Sequence, residues 1–228
     1  VHVKTTFMAA GAALALICLP AAAADTGFYI SGNFGQAQYG DLSQEDFDFA
    51  TDVLLDELGL TLLDGGSSLD DKGSPWSITA GWRFSPYLAV EAGYVNLGTA
   101  EYRANGTVSI PGIGAVDGAF GVDISAKGPF VAVAGFAPLG ERFDLHARLG
   151  MLFADTEFDL TLSLQGLSES ESFSASSQDV FFGLGASFHF TENLSASLDY
   201  SLFQDVGDEE ETGESKVDAI TLGLTYRF

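Results

Sequence analysis

Basic side chains are scarce in this chain: nine lysines and arginines stand against 32 aspartates and glutamates, a formal net charge of -23 at pH 7. A phosphate backbone is held by clustered Lys and Arg, so this balance excludes nucleic acid as a partner. Cationic partners are the natural counterpart, and a saline habitat, in which solvated carboxylates keep a protein in solution, is the other reading of the same acidity. Cysteine is nearly missing as well. Cys18 is the only one, and it lies in an N-terminal stretch with Lys4 as a positive n-region, an apolar h-region from Phe7 to Leu19, and small residues from Ala21 to Ala24 after Pro20. That pattern predicts a signal peptide over residues 1–24, cleaved before Asp25. Ile17 is too large to precede a lipidated cysteine, so the mature chain, residues 25–228, is expected to have no thiol, disulfide or cysteine metal site. After Asp25 no run of about 18 apolar residues occurs, which excludes a membrane-spanning helix. Charged residues are also sparse at 18% against 46% hydrophobic. The composition fits neither a disordered chain nor an ordinary soluble globule.

What the chain does have is alternation. Ile220, Leu222, Leu224, Tyr226 and Phe228 share one parity, with Ala219, Thr221, Gly223, Thr225 and Arg227 between them. Val180, Phe182, Leu184, Ala186, Phe188 and Phe190 likewise oppose Phe181, Gly183, Gly185, Ser187 and His189. A period of two is the mark of a strand. Large apolar side chains opposed by glycine, serine, threonine and single charges suit a narrow barrel whose apolar face meets lipid. Strands are predicted near 27–39, 75–85, 87–103, 123–138, 143–164, 176–190, 194–206 and 216–228. The connections at 85–87, 139–142 and 191–193 are short, whereas those at 40–74, 104–122, 165–175 and 207–215 are long. The fold class is therefore all-β: an eight-stranded antiparallel up-and-down transmembrane β-barrel with long extracellular loops and short periplasmic turns. Trp82, Phe84, Tyr87, Phe143, Phe188, Phe190, Tyr226 and Phe228 lie near strand ends, as an interfacial aromatic girdle requires.

Three segments carry a family resemblance: Gly27-Phe28-Tyr29-Ile30-Ser31-Gly32-Asn33-Phe34-Gly35, Tyr87-Leu88-Ala89-Val90-Glu91-Ala92-Gly93-Tyr94-Val95-Asn96-Leu97-Gly98, and Leu222-Gly223-Leu224-Thr225-Tyr226-Arg227-Phe228. They resemble the transmembrane barrel of the outer membrane protein A superfamily. The resemblance implies an outer-membrane location, and contact with outer-membrane lipid, lipopolysaccharide and the barrel-insertion machinery. It also implies an insertion signal made by Leu224, Tyr226 and Phe228. Larger members add a periplasmic peptidoglycan-binding domain; with the last strand ending at Phe228, no cell-wall tether is expected.

Parity and distance from the short turns place Arg83, Glu91, His146, Arg148, Asp199 and Arg227 inside the lumen at similar depth, as one charge cluster. It reads as a polar plug of mutually satisfied charges, or alternatively as a gate or ion path. No Ser–His–acid set is apparent at the outer rim, and neither a cofactor motif nor a metal motif stands out. Gly112, Gly114 and Gly118 lack the setting of a dinucleotide fingerprint, and Asn105-Gly106-Thr107 matches a glycosylation acceptor by pattern only. The acidic run Asp208 to Glu211 lacks an EF-hand pattern. Within Gln44 to Leu60, Phe47, Ala50, Leu54 and Leu58 recur at helical spacing with Asp48, Asp52 and Asp56 on another face, predicting an amphipathic helix. It is either a lid or docking surface, or a helix resting on the barrel rim. The expected function is that of a non-enzymatic structural or surface-interaction protein, whose acidic loops serve envelope integrity or bind an external protein or cationic ligand. A narrow porin-like channel and a lipid-modifying enzyme are the alternatives.

Overall fold

The computed structural model describes residues 26–40, 42–165, 167–208 and 213–228. The expected leader, Cys18 and the acidic run at 209–211 lie outside the described residues. Along the chain run β1 (Gly27–Tyr39), α1 (Gln44–Glu57), β2 (Thr61–Asp70), β3 (Lys72–Gly73), β4 (Trp76–Ser85), β5 (Leu88–Ile110), β6 (Gly114–Pro138), β7 (Phe143–Leu164), β8 (Leu167–His189), β9 (Leu194–Asp208) and β10 (Gly213–Arg227). Each of β4 to β10 pairs with its neighbour in sequence, β1 pairs with β4, and β10 returns to β1, so eight antiparallel strands close a ring. Closure runs from Tyr29 opposite Arg227 to Tyr39 opposite Val217, leaving no open edge within the ring.

The alternation explains the closure. Ile30, Ile78, Val90, Leu149, Leu184, Leu198 and Leu222 are all exposed on the outer surface. Glycine, alanine, serine, several aliphatic residues and a few charged or aromatic ones fill the interior. Such an outer face is stable only against lipid, and a closed barrel is the sheet architecture that satisfies every backbone group there. Trp76 and Tyr94, with ring centres 6.0 Å apart, mark one margin of the apolar band. Phe143, Phe188 and Phe190 mark the other, near the short turns.

The three short turns fall where expected, but the long connections differ. Segments read as loops continue as strands: β5 and β6 pair out to Ile110 and Gly114, and β7 and β8 out to Leu164 and Leu167. Strands β5 to β8 are 22 to 25 residues long, where about 9–11 suffice to cross a bilayer. The first connection holds α1, β3 and β2, and β2 adds to the outer part of β5, from Thr61 opposite Ser109 to Asp70 opposite Glu101. A sheet of β2, β5, β6, β7 and β8 therefore stands above the membrane. Sequence pattern read these segments as loops because the lipid-facing apolar row stops at the membrane margin, while the hydrogen-bond ladder does not.

Candidate functional site

The lumen is built in two layers. Toward the short turns it is ionic. Arg148 donates from Nη1 to Asp199 Oδ1 at 2.9 Å, and the same oxygen lies 2.5 Å from His146 Nε2. Ser197 donates to the other oxygen of Asp199 at 2.6 Å. On its far side Arg148 Nε stands 3.0 Å from Glu91 Oε2, an ion pair whose angle is too poor for a hydrogen bond. The Tyr29 hydroxyl donates to Glu91 Oε1 at 2.5 Å. Nearer the turns is a second network. Arg83 Nη1 donates to Asp144 Oδ2 at 3.2 Å, His189 Nε2 is also 3.2 Å from that oxygen, and Arg83 Nη2 donates to the Pro86 carbonyl. Phe136 separates the two networks: the Arg83 guanidinium lies 4.1 Å from its ring centre, and the His146 ring centre lies 5.9 Å away.

Glycines on intervening strands make the room. Gly185 faces His146 on one side and Asp199 on the other in the strand register. A Cβ there would stand 2.4 Å from His146 Nε2 and 2.6 Å from Asp199 Oδ1, so any side chain would split the pair. Five of the six residues picked out by parity thus lie buried or nearly so in the expected half of the lumen, but in two networks rather than one. Arg227 takes part in none of the ion pairs above. It lies opposite Tyr29 at the rim, partly exposed, and its carbonyl accepts the Asn193 side-chain amide at 2.7 Å. Asp144, His189 and Tyr29 are the partners that sequence reasoning missed. Each has the inward parity of its strand, and that signal was available for all three.

Beyond this layer the lumen turns apolar. Phe130 packs edge-on to Phe181 at 5.5 Å, and Phe181 stacks on Phe203 at 5.2 Å. Leu97, Leu152 and Val217 join them in one buried cluster. A cavity of about 50 Å³ remains between the layers, bordered by Arg148, Asn33, Phe130 and Phe181. Ser187 Oγ is 3.3 Å from His146 Nδ1, so Ser187, His146 and Asp199 follow one another as in a hydrolytic triad. Arg148 shares the aspartate, however, and His146 and Asp199 are both buried while Ser187 is partly exposed.

Above the membrane, α1 lies on the protruding sheet. Glu45 and Asp46 in its first turn suit the helix dipole. Its end is a Schellman turn: Gly59 at φ +68 donates to Asp56 O, and Leu60 donates to Leu55 O. The buried face is not the expected Phe47–Ala50–Leu54–Leu58 row. Thr51 and Leu55 are the buried positions, Phe47 stacks on Tyr102 at 5.0 Å, and Ala50 and Leu58 are exposed. Asp48 sits at the contact and accepts the Tyr102 hydroxyl at 2.6 Å. Hydrogen bonds from Ser67 and Tyr102 hold its carboxyl below the usual carboxylate range, while burial and Asp48 raise the Tyr102 phenol. Leu224, Tyr226 and Phe228 lie on the outer face, exposed, with the last two rings 5.2 Å apart.

Residues 9–228 match the family model described as the outer membrane protein beta-barrel domain. Outer membrane protein A of Klebsiella pneumoniae is 28% identical over 219 residues, covering 94% of this chain and 54% of that protein. Outer membrane protein A of Salmonella typhi is 25% identical over 233 residues, covering 99% and 55%. The chain spans about half the length of the curated relatives it matches. Among solved structures, Neisserial surface protein A aligns with a TM-score of 0.45 and 14% identity, covering 89% of this chain and 97% of that one. The outer membrane protease OmpT of Escherichia coli aligns at 0.46 and 12%, covering 90% and 97%.

Proposed function

Because the chain belongs to the outer membrane protein beta-barrel family and resides in the outer membrane, we propose that it is a non-catalytic surface-interaction protein whose protruding sheet receives an external partner. The observation that carries this is the open edge of β8. Among the described residues the strand pairs from Leu167 to Val180 with β7 alone, since pairing with β9 begins at Phe181 opposite Phe203 and beyond it β9 reaches β8 through a Gly207 N–H donated to Ser177 Oγ. Unpaired backbone donors and acceptors along such an edge are a template for another extended chain.

Charge selects the partner. From Asp155 to Asp179 the sequence holds six acidic residues and no basic one; Glu169 and Glu171 lie on the edge strand itself and are exposed. A basic extended segment complements both features. The barrel anchors this surface in lipid and lipopolysaccharide, with Leu224, Tyr226 and Phe228 as the face offered to the insertion machinery. A non-catalytic reading is supported by the burial of His146 and Asp199 and by the share of Asp199 that Arg148 takes, away from the sheet.

The test uses the full chain in lipid nanodiscs and a lysine-rich extended peptide. Binding is expected to slow hydrogen exchange at backbone amides of residues 167–176, and Glu169→Lys with Glu171→Lys is expected to abolish it. Unchanged binding by the charge-reversed protein, or protection elsewhere only, would refute the edge as the docking site.

A further inference from the structure

The space beneath α1 is not filled by the helix. Between α1 and the sheet a cavity of about 250 Å³ remains, close to the lower bound of about 300 Å³ for sites that take drug-sized ligands. Its floor is low for a definite reason. Gly65, Gly106 and Gly118 stand in register on β2, β5 and β6, so at this level three adjacent strands raise no side chain of their own, and Leu62 leans over the first two, its Cδ1 2.9 Å from where a Gly106 Cβ would stand.

The walls differ from end to end. Toward the hairpin tips they are aliphatic, with Leu55, Val108 and Leu164 packed in one cluster. Toward the membrane they are the Tyr102 and Phe120 rings, set edge-on at 6.3 Å. The charged groups lining the cavity are Asp48 and Asp52, both from α1 and both acidic. Asp52 is exposed at the mouth and Asp48 half-buried within. Asp48 is kept as a carboxylate by its hydrogen bonds.

Aliphatic walls favour a hydrocarbon body, and carboxylates beside aromatic rings favour a cation, which is attracted both by charge and by the ring faces. Among the described residues no three His, Cys, Asp or Glu side chains gather there to hold a metal ion, and an anion would be repelled. We propose that this cavity binds a small organic cation, an ammonium group on a compact hydrocarbon body, with the ammonium between Asp48, Asp52 and the Tyr102 ring and the hydrocarbon over the glycine floor. The site lies above the membrane, so the ligand enters from the medium. It is separate from the β8 edge and does not depend on it.

The experiment titrates the full chain in phosphatidylcholine nanodiscs with benzyltrimethylammonium, and in parallel with benzyl alcohol and benzoate, by calorimetry. The cation is expected to saturate one site, the neutral alcohol to bind roughly tenfold or more weakly, and the anion not to bind. Asp48→Asn with Asp52→Asn is expected to weaken cation binding by roughly tenfold or more. Gly118→Leu keeps both carboxylates but drives a side chain off the floor toward Leu164, whose Cδ2 would lie 3.2 Å from the new Cβ; it is expected to abolish binding. Since Gly118→Leu also disturbs lid packing, a second measurement is made on the unmodified protein: nuclear Overhauser contacts from the probe methyls to the methyls of Leu55, Val108 and Leu164. Undiminished binding by Gly118→Leu would mean diffuse attraction to an acidic surface and would overturn the site. So would equal affinity for benzyl alcohol, no saturation, or absence of those contacts.

Discussion

Arg83 is 1% exposed, and an arginine so placed survives only because its charge is answered. Asp144 is its only ion-pair partner among the described residues, with the Pro86 carbonyl and the Phe136 ring completing its surroundings. Arg148 differs, because it stands between two carboxylates, Glu91 and Asp199. Removing one partner of a buried pair costs about 3–5 kcal/mol when the other charge is stranded, whereas the intact pair adds little net stability. Asp144→Ala is therefore expected to lose about that much, and Glu91→Ala distinctly less, since Arg148 keeps Asp199. Urea titration of the two variants in one detergent makes the comparison, and equal midpoints would contradict the two-network arrangement. Gly185 belongs to the same argument, because a residue with no side chain is what allows the His146–Asp199 contact.

At the level of elements, α1 is held to the sheet by the Phe47–Tyr102 stack, the Leu55 cluster, hydrogen bonds from Gln44 to Ser67, the Thr51–Tyr102 hydroxyl contact and the Asp48–Tyr102 hydrogen bond. The last is sensitive to pH. A carboxyl whose folded pKa is depressed contributes stability that is fully present above its unfolded value, about 3.9 for aspartate, and lost as pH falls through the folded value. Protection of the α1 amides from hydrogen exchange, corrected for intrinsic rates, is thus expected to hold at neutral pH and to fall in acid below about pH 4. Tyr102→Phe removes one of the two donors and is expected to weaken that dependence. A variant with the same acid profile as the unmodified protein would assign the effect to other carboxylates.

For the whole molecule, the two lumen layers act in series. Eight strands leave an interior only wide enough for side chains, and here it is occupied first by the Glu91–Arg148–Asp199 network and then by the Phe130–Phe181–Phe203 stack. An ion would have to displace paired charges and then cross an apolar plug. In planar bilayers the protein is expected to pass no steady ohmic current, and a stable current of uniform step size would refute closure and restore the channel reading. Much of the acidity lies on α1 and the outer parts of β7 and β8, above the membrane, where carboxylates stay hydrated.

The ring of eight strands and its inside-out character were legible in the sequence, because parity is a property of the backbone: residues two apart share a face whatever they later touch. The same parity placed Arg83, Glu91, His146, Arg148 and Asp199 in the lumen. It could not say which charge meets which. Pairing of Arg83 with Asp144, and of Arg148 with both Glu91 and Asp199, depends on how strands far apart in the chain are brought around the barrel, and on Phe136 standing between the networks. Alternation also stopped short of the protruding sheet, since outside lipid no apolar row is needed to keep a hydrogen-bonded ladder going. The helix of the first connection was readable from its spacing, but its buried face was not: Thr51 lies inward with its hydroxyl 3.4 Å from that of Tyr102, a partner that only the tertiary structure supplies. The cavity under that helix belongs to tertiary structure alone, for three glycines distant in sequence form a floor only when their strands are side by side.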